Sequence, residues 1–194
     1  MPATLGSFTR FRLDTAAQQV APDDVLGRAG IAMAFYRQDT SNIFGILMLD
    51  PPSAPPLPDG VTAPDLLFRK EGMWRAVPRR PNMHPLTQFD VNDAPSKLRL
   101  SCFGFIQQEP VLLLQVATCL TAMEGRMVVL SMGMPVIPDA EPRAAAQALT
   151  SRAVILLTAL RENLQRDPRV GLPNGPAAGR PPIAPASGRP PLRT

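Results

Sequence analysis

Residues 112–134 read LLLQVATCLTAMEGRMVVLSMGM, and this stretch decides the fold. Two apolar runs, 112–123 and 126–134, flank Glu124-Gly125, a two-residue turn that is typical of an antiparallel hairpin. The turn sets the register and predicts Met123 opposite Arg126. The same register pairs Leu120 with Val129, Ala122 with Met127, Cys119 with Leu130, and Ala117 with Met132.

Side chains alternate between the two faces of a strand, and both faces of this hairpin are apolar. One face carries Leu114, Val116, Leu120, Met127 and Val129. The other carries Ala117, Cys119, Val128, Leu130, Met132 and Met134. A sheet with two apolar faces needs two covers.

One cover is a C-terminal helix. Asp139 or Glu141 can cap it, and Pro142 suits its first turn, where a missing N–H costs nothing. The helix is predicted to end near Asp167-Pro168. Its apolar residues then form one stripe: Leu149, Ala153, Leu156, Leu160 and Leu164.

A second cover is hard to find in the sequence. Residues 14–28 are the other candidate helix, but their apolar positions are mostly alanine, and Pro22 interrupts them. This deficit predicts that one sheet face is left to a partner, a dimer mate or the long loops.

Shorter strand signals surround the hairpin. Residues 31–36 and 43–49 form a predicted hairpin, residues 66–69 and 74–77 a second one around Lys70-Glu71-Gly72, and residues 98–106 a further strand. The fold class is therefore predicted to be α+β, with an antiparallel sheet packed against the C-terminal helix.

Proline marks the segments between these elements. Six prolines fall in residues 51–64, which predicts an exposed loop. Residues 166–194 are rich in Pro, Gly and Arg without apolar periodicity, so we expect a disordered tail after a single domain spanning 1–165.

Charge and hydropathy exclude two classes of partner. The 194 residues carry a net charge of +4, but residues 1–165 hold 15 basic and 15 acidic side chains, so all the excess lies in the tail. A nucleic-acid interface on the domain is therefore not expected. The longest apolar stretch, 111–123, is too short for a transmembrane helix and contains Gln115 and Thr118.

Catalytic candidates are few. His84 lies in a predicted loop and could act as a general base, while Cys102 and Cys119 fall in apolar strands where buried thiols are inert. Two cysteines make no disulfide framework and one histidine no zinc site, so we expect reduced thiols, a cytoplasmic location, and neither metal nor cofactor. The enzyme alternative is a small hydrolase or transferase that uses His84 with Cys102 or Asp90.

Methionine is the side chain that adapts best to varied apolar partners, and four methionines lie on the decisive hairpin. A sulfur-rich core explains them, and so does a partner-binding face. The candidate contact residues for such a face are Met127, Val128, Val129, Leu130, Met132 and Met134.

The order of elements over residues 98–165 resembles the DcrB-like family within the PsbP-like α/β fold. The resemblance rests on a strand at 98–106, the hairpin around Glu124-Gly125, the strand Met127-Val128-Val129-Leu130-Ser131, and the final helix. It implies a curved antiparallel sheet flanked by helices and a non-enzymatic role, because some relatives are chaperones or adaptors for effectors of bacterial type VI secretion. The sequence thus predicts a cytosolic module that shields apolar segments of a partner. The alternatives are the enzyme above and a structural subunit of a larger assembly, which predicts an oligomer, with a homodimer as one form.

Overall fold

The computed structural model describes residues 1–14, 31–38, 41–136 and 142–170, and over these the chain is an α+β protein with one antiparallel sheet and two α-helices. In chain order the elements are β1 (Thr4–Leu5), β2 (Phe8–Asp14), β3 (Ala32–Gln38), β4 (Phe44–Leu49), α1 (Pro64–Ala76), a 3₁₀ turn (Val77–Arg79), β5 (Met83–Asp93), β6 (Leu98–Gln108), β7 (Leu113–Met123), β8 (Arg126–Pro135) and α2 (Pro142–Arg166).

The sheet has eight strands in the order β1-β2-β3-β4-β8-β7-β6-β5. The β7–β8 hairpin lies at its centre, and the predicted register is confirmed at every pair, from Met123 opposite Arg126 to Ala117 opposite Met132. Glu124 and Gly125 have φ values of 51° and 71°, the left-handed conformation that a tight hairpin turn needs. A second predicted hairpin, residues 31–36 with 43–49, is also confirmed as β3 and β4.

Helix α2 covers one face of the sheet, which we call the α2 face. The predicted apolar stripe is confirmed, since Leu149, Leu156 and Leu160 are fully buried. The stripe packs against Ala117, Cys119, Val128, Leu130 and Met132, so the structure establishes which hairpin face meets the C-terminal helix.

Helix α1 lies on the opposite face of the sheet, which we call the α1 face, and the sequence-based prediction for its residues is wrong. Residues 66–69 and 74–77 belong to α1 and the turn that follows it, not to a hairpin. Pro64 occupies the first turn of α1, and Gly72 is accommodated inside the helix. Leu66 and Val77 pack there against a second apolar cluster that contains Met127 and Val129. A second cover therefore exists, contrary to the sequence-based expectation, but it spans only part of the sheet.

The proline-rich connection runs back over the sheet before α1 begins. Leu57 forms a bridge with Gly125, and Gly60 forms one with Ala122. The predicted loop thus contributes to the cover near the β7–β8 turn. At the same end of the sheet Arg126 is buried and donates hydrogen bonds to the carbonyl oxygens of Pro168 and Val170, which joins the end of α2 to the hairpin.

Three strands were not predicted: β1, β2 and β5. His84 accordingly lies within β5 opposite Ile106, and not in a loop. Asp14, the first residue of the candidate helix 14–28, is the last residue of β2, and residues 15–28 lie outside the described residues. The predicted tail is described only as far as residue 170.

Candidate protein-binding surface

The six contact residues predicted from the sequence are mostly core residues in the folded chain. Five of them, Met127, Val128, Val129, Leu130 and Met132, are at most 1% exposed. Met134 is partly buried against the α2 layer. Core packing by α1 and α2 therefore accounts for the apolar pattern of the hairpin, and we place no partner on these side chains.

The residues of the enzyme alternative do not converge. His84 and Asp90 are six positions apart on β5, roughly 20 Å along a strand. Cys102 lies opposite Phe89, not beside His84, and His84 is exposed. No group of three or more metal-ligating side chains occurs among the described residues.

The two cysteines correct a second expectation. Cys102 on β6 lies directly opposite Cys119 on β7, with their Cα atoms 4.0 Å apart, and the two side chains form a disulfide. Both residues are buried in the α2 layer. No free thiol is left for a nucleophile, and the expectation of a reduced pair is wrong because strand pairing brings the two positions together.

One part of the molecule that can receive a partner is the α1 face beyond α1. The register aligns Phe35 on β3 with Ile46 on β4 and Ser131 on β8, in one row across the strands. In the next rows lie Phe44 and Met33, on the same face. All four apolar side chains are partly buried and keep part of their surface exposed. Met33 packs against the cluster that contains Leu66 and Val77 of α1 and its turn. We call Met33, Phe35, Phe44 and Ile46 the open apolar surface.

A groove of about 450 Å³ joins the open apolar surface to α1. Met73 and Val77 form its wall, and Phe103 and Phe105 on β6 form the far part of its floor. The centre of the floor is polar, because Thr118 and Ser131 are hydrogen-bonded through their hydroxyl oxygens at 2.9 Å. The groove therefore offers apolar contact with its floor hydroxyls already paired to each other.

Glycine shapes the floor at one place. Gly133 on β8 lies opposite Phe44 on β4, and a Cβ atom at Gly133 would overlap the Phe44 ring. On the other face, a Cβ atom at Gly45 would lie 2.9 Å from Sδ of Met132. Each glycine thus leaves room for a large side chain of the neighbouring strand.

Buried polar contacts hold the wall of the groove in place. Arg69 on α1 donates through Nη1 to both carboxylate oxygens of Asp50, at 2.6 and 2.8 Å, and both side chains are buried. The next residue of the helix, Lys70, donates to Ser101 Oγ at 2.9 Å, and Ser101 donates to Asp90 at 2.6 Å. These two contacts attach α1 to the sheet and position the wall of the groove.

Aromatic and basic side chains surround the open apolar surface. Phe11, which is 58% exposed, lies 6.1 Å from the Phe35 ring between centroids. The Arg12 guanidinium lies 5.0 Å from the centroid of the same ring and pairs with Asp14 at 2.8 Å. Arg80 lines the groove beyond α1.

The strands that carry this surface have an apolar pattern in the sequence. The alternation in residues 31–36 and 43–49 places large apolar side chains on both faces, as it does in the central hairpin. The sequence-based prediction of a face left to a partner, a dimer mate or the long loops was made for the central hairpin, whose residues the structure shows to be buried.

The chain matches no protein-family model, and no curated protein matches it. Within the described part of the chain, neither helix combines the length and the apolar character that a membrane crossing requires.

Proposed function

We propose that this protein is a non-enzymatic protein-binding module that shields an apolar segment of a partner, as a chaperone or adaptor does. The observation that carries the proposal is the open apolar surface, where Phe35, Phe44 and Ile46 lie together on one sheet face and remain partly exposed. Contiguous exposed apolar patches are typical of interaction sites. The groove beside α1 extends the patch into a concave site, which suits an inserted side chain.

The family and the partner belong to the proposal as well. We propose a DcrB-like relationship and a secreted effector as the partner. The support for these is the order of elements after residue 98, which the structure describes as β6, β7, β8 and α2.

The disulfide bears on the compartment of the protein. The cytoplasmic location predicted from the sequence rested in part on reduced thiols, and disulfides are rare in reducing compartments. The Cys102–Cys119 disulfide weakens that argument. We therefore propose the binding function without a compartment.

Binding can be followed with the intrinsic fluorescence of Trp74, the single tryptophan of the chain. Trp74 lies on α1, with its ring 5.7 Å from that of Phe103 in the groove floor. The probe is a soluble synthetic peptide with a central Leu/Ala segment and polar ends, titrated into the full chain. We expect a saturable change in Trp74 emission.

The decisive variants are Phe35→Glu and Ile46→Glu, which place a carboxylate in the open apolar surface. The matched control is Phe68→Glu, because Phe68 is 82% exposed on α1 and does not line the groove. We expect at least tenfold weaker binding for the first two variants, about 1.4 kcal/mol, and unchanged binding for the control. Equal affinity of all the variants with the parent protein contradicts the proposal, as does equal loss in all three.

A second copy of the chain is the competing occupant of the same surface. Sedimentation velocity distinguishes it, since a dimer that dissociates in Phe35→Glu assigns the open apolar surface to self-association. That outcome replaces the chaperone proposal with the structural-subunit alternative.

A further inference from the structure

Strand β5 ends the sheet, and no described strand pairs with its outer edge. Edge strands present backbone N–H and C=O groups to other chains, and natural proteins protect them with prolines and bulges. Pro85 and an irregularity between Pro85 and Thr87 protect the first part of β5 in this way. Residues 87–93 carry neither device and pair with β6 in continuous register.

The register shows which backbone groups point outward. Cys102 and Cys119 are a narrow pair of the β6–β7 ladder, since their Cα atoms are 4.0 Å apart, so the N–H and C=O of Cys102 point toward β5. Phe89, opposite Cys102, therefore bonds to β6. Gln88, Asp90 and Asn92 alternate with Phe89 along β5, and their backbone groups point away from the sheet.

A second groove, separate from the first, lies beside this edge on the α2 face. Its volume is about 890 Å³, and it lies between β5 and the N-terminal half of α2. Phe89 and Val91 line it from the strand, and Thr150 lines it from the helix. Its floor is hollow because Gly104 and Ala117 have small or no side chains there.

The combination of a free edge and an adjacent groove suits an extended segment that adds to the sheet. Backbone bonds to the edge give such a complex its affinity, and pockets for alternate side chains give it specificity. Every second side chain of an added strand would enter the groove beside Phe89 and Val91. The intervening side chains would lie beside Gln88, Asp90 and Asn92 on the opposite face.

The charges on that opposite face define the partner. Asp90 accepts a hydrogen bond from Ser101 through Oδ1, and β5 contains no lysine or arginine. Two basic side chains lie one strand further in, since Arg99 is on β6 opposite Asn92 and Lys70 donates to Ser101 on β6. Asp90 is the charged side chain that β5 itself contributes beside Ser101. A basic residue opposite Asp90 would form a favourable cross-strand pair, whereas an acidic one would be repelled.

Two occupants from this chain fit less well. In a symmetric antiparallel pairing of two copies, the register that uses all of residues 87–93 places Asp90 directly opposite Asp90, which is unfavourable. Residues 171–194 contain seven prolines, and proline has no N–H to donate to a ladder.

We propose that β5 accepts, as a ninth antiparallel strand along residues 87–93, an extended segment of a partner protein that alternates apolar residues with polar or basic ones. The site is distinct from the open apolar surface, and its failure would leave the proposed function untouched.

The test uses a fluorescein-labelled nine-residue peptide of alternating lysine and valine, with anisotropy as the readout on the full chain. Two further peptides carry N-methyl groups on alternate residues, one in each of the two possible frames. Strand addition predicts that the peptide methylated in one frame binds at least tenfold more weakly and that the peptide methylated in the other frame keeps its affinity. The reason is that only every second peptide N–H faces β5. Equal affinities of the two N-methylated peptides overturn the proposal.

The protein variant is Gln88→Lys/Asn92→Lys, which adds two positive charges at the edge and leaves the β6 ladder intact. Its control is Asn42→Lys/Gln108→Lys, which makes the same two changes at exposed positions away from residues 87–93. We expect at least tenfold weaker binding of the lysine-valine peptide only in the edge variant. Equal effects of the two double variants indicate nonspecific charge attraction and overturn the proposal.

Amide hydrogen exchange locates the peptide independently of charge. Bound peptide should slow exchange at Gln88, Asp90 and Asn92. Slowed amide exchange that is confined to α1 would overturn the proposal. A concentration-dependent dimer of the free chain that the edge variant abolishes would also overturn it, because the occupant of the edge would then be a second copy.

Discussion

Removing the Cys102–Cys119 disulfide should lower the free energy of unfolding by about 3 kcal/mol. The two residues are 17 positions apart, and the entropy that such a cross-link removes from the unfolded chain is about 10 cal/mol/K, or about 3 kcal/mol at 25 °C. For a chain of this size, that loss lowers Tm by roughly 6–12 °C.

The assay compares thermal unfolding of the oxidised protein, of the reduced protein, and of a Cys102→Ala/Cys119→Ala variant. The variant should unfold at least as early as the reduced protein, because it also loses two buried sulfur atoms, and its Tm should not respond to reductant. Circular dichroism follows the sheet, and intact mass after alkylation in denaturant verifies the redox state of each sample.

Two results would refute the reasoning. Protein purified without reductant that gains two alkyl groups in denaturant had free thiols, and the cross-strand bond would then be absent. A reduced protein with an unchanged Tm would show that the cross-link does not change the free energy of unfolding. The loss of loop entropy in the unfolded chain would then not explain the effect of the disulfide.

Two further predictions concern the two faces of the sheet. Asp50→Ala leaves the buried Arg69 without its carboxylate, and we expect the free energy of unfolding in urea to fall by about 3–5 kcal/mol. The control Asp50→Leu/Arg69→Met removes both charges and should lose much less stability. A loss below about 1 kcal/mol for Asp50→Ala would show that the pair does not anchor α1. Burial raises the pKa of Tyr36 to about 12, against the opposing effect of Arg10, and its hydroxyl donates to the carbonyl oxygen of Pro2 at 2.9 Å. The neutral phenol is therefore favoured in the folded state, so stability is fully present below pH 10 and decreases by roughly 2–3 kcal/mol as pH rises from 10 to 12. Tyr36 is the single tyrosine, so an ultraviolet absorbance titration reads its ionisation directly, and a midpoint near 10 in folded protein would contradict this account.

Local patterns predicted the centre of the fold. The Glu124-Gly125 turn determines the β7–β8 register because a two-residue connection leaves one antiparallel alignment. The stripe from Leu149 to Leu164 predicts α2 because its spacing matches the helical period. Each signal is carried by residues that are close to one another in the chain.

Features that depend on distant residues were not predictable in the same way. Helix α1 places Arg69 and Lys70 toward the sheet, and their partners Asp50 and Ser101 are 19 and 31 positions away. The local sequence Lys70-Glu71-Gly72 resembles a turn, and nothing near it indicates that its basic residues are satisfied on the sheet.

The disulfide and the edge strand β5 were not predicted from the sequence, for a related reason. Both strands that carry the cysteines were predicted, but the connection between β6 and β7 is longer than a two-residue turn, so it does not specify their register. Strand β5 contains proline and few β-branched residues, which are weak strand signals. Residues 83–93 form a strand because they pair with β6, and the local sequence does not indicate that pairing.

The two glycines on β4 and β8 make the central strands dependent on each other over evolutionary time. Gly133 leaves room for Phe44, and Gly45 leaves room for Met132, so volume is shared between neighbouring strands on opposite faces of the sheet. A larger residue at either glycine requires a smaller one at its partner. Positions 44 and 133, and positions 45 and 132, should therefore change in pairs as this sequence diverges, while each position alone stays fixed.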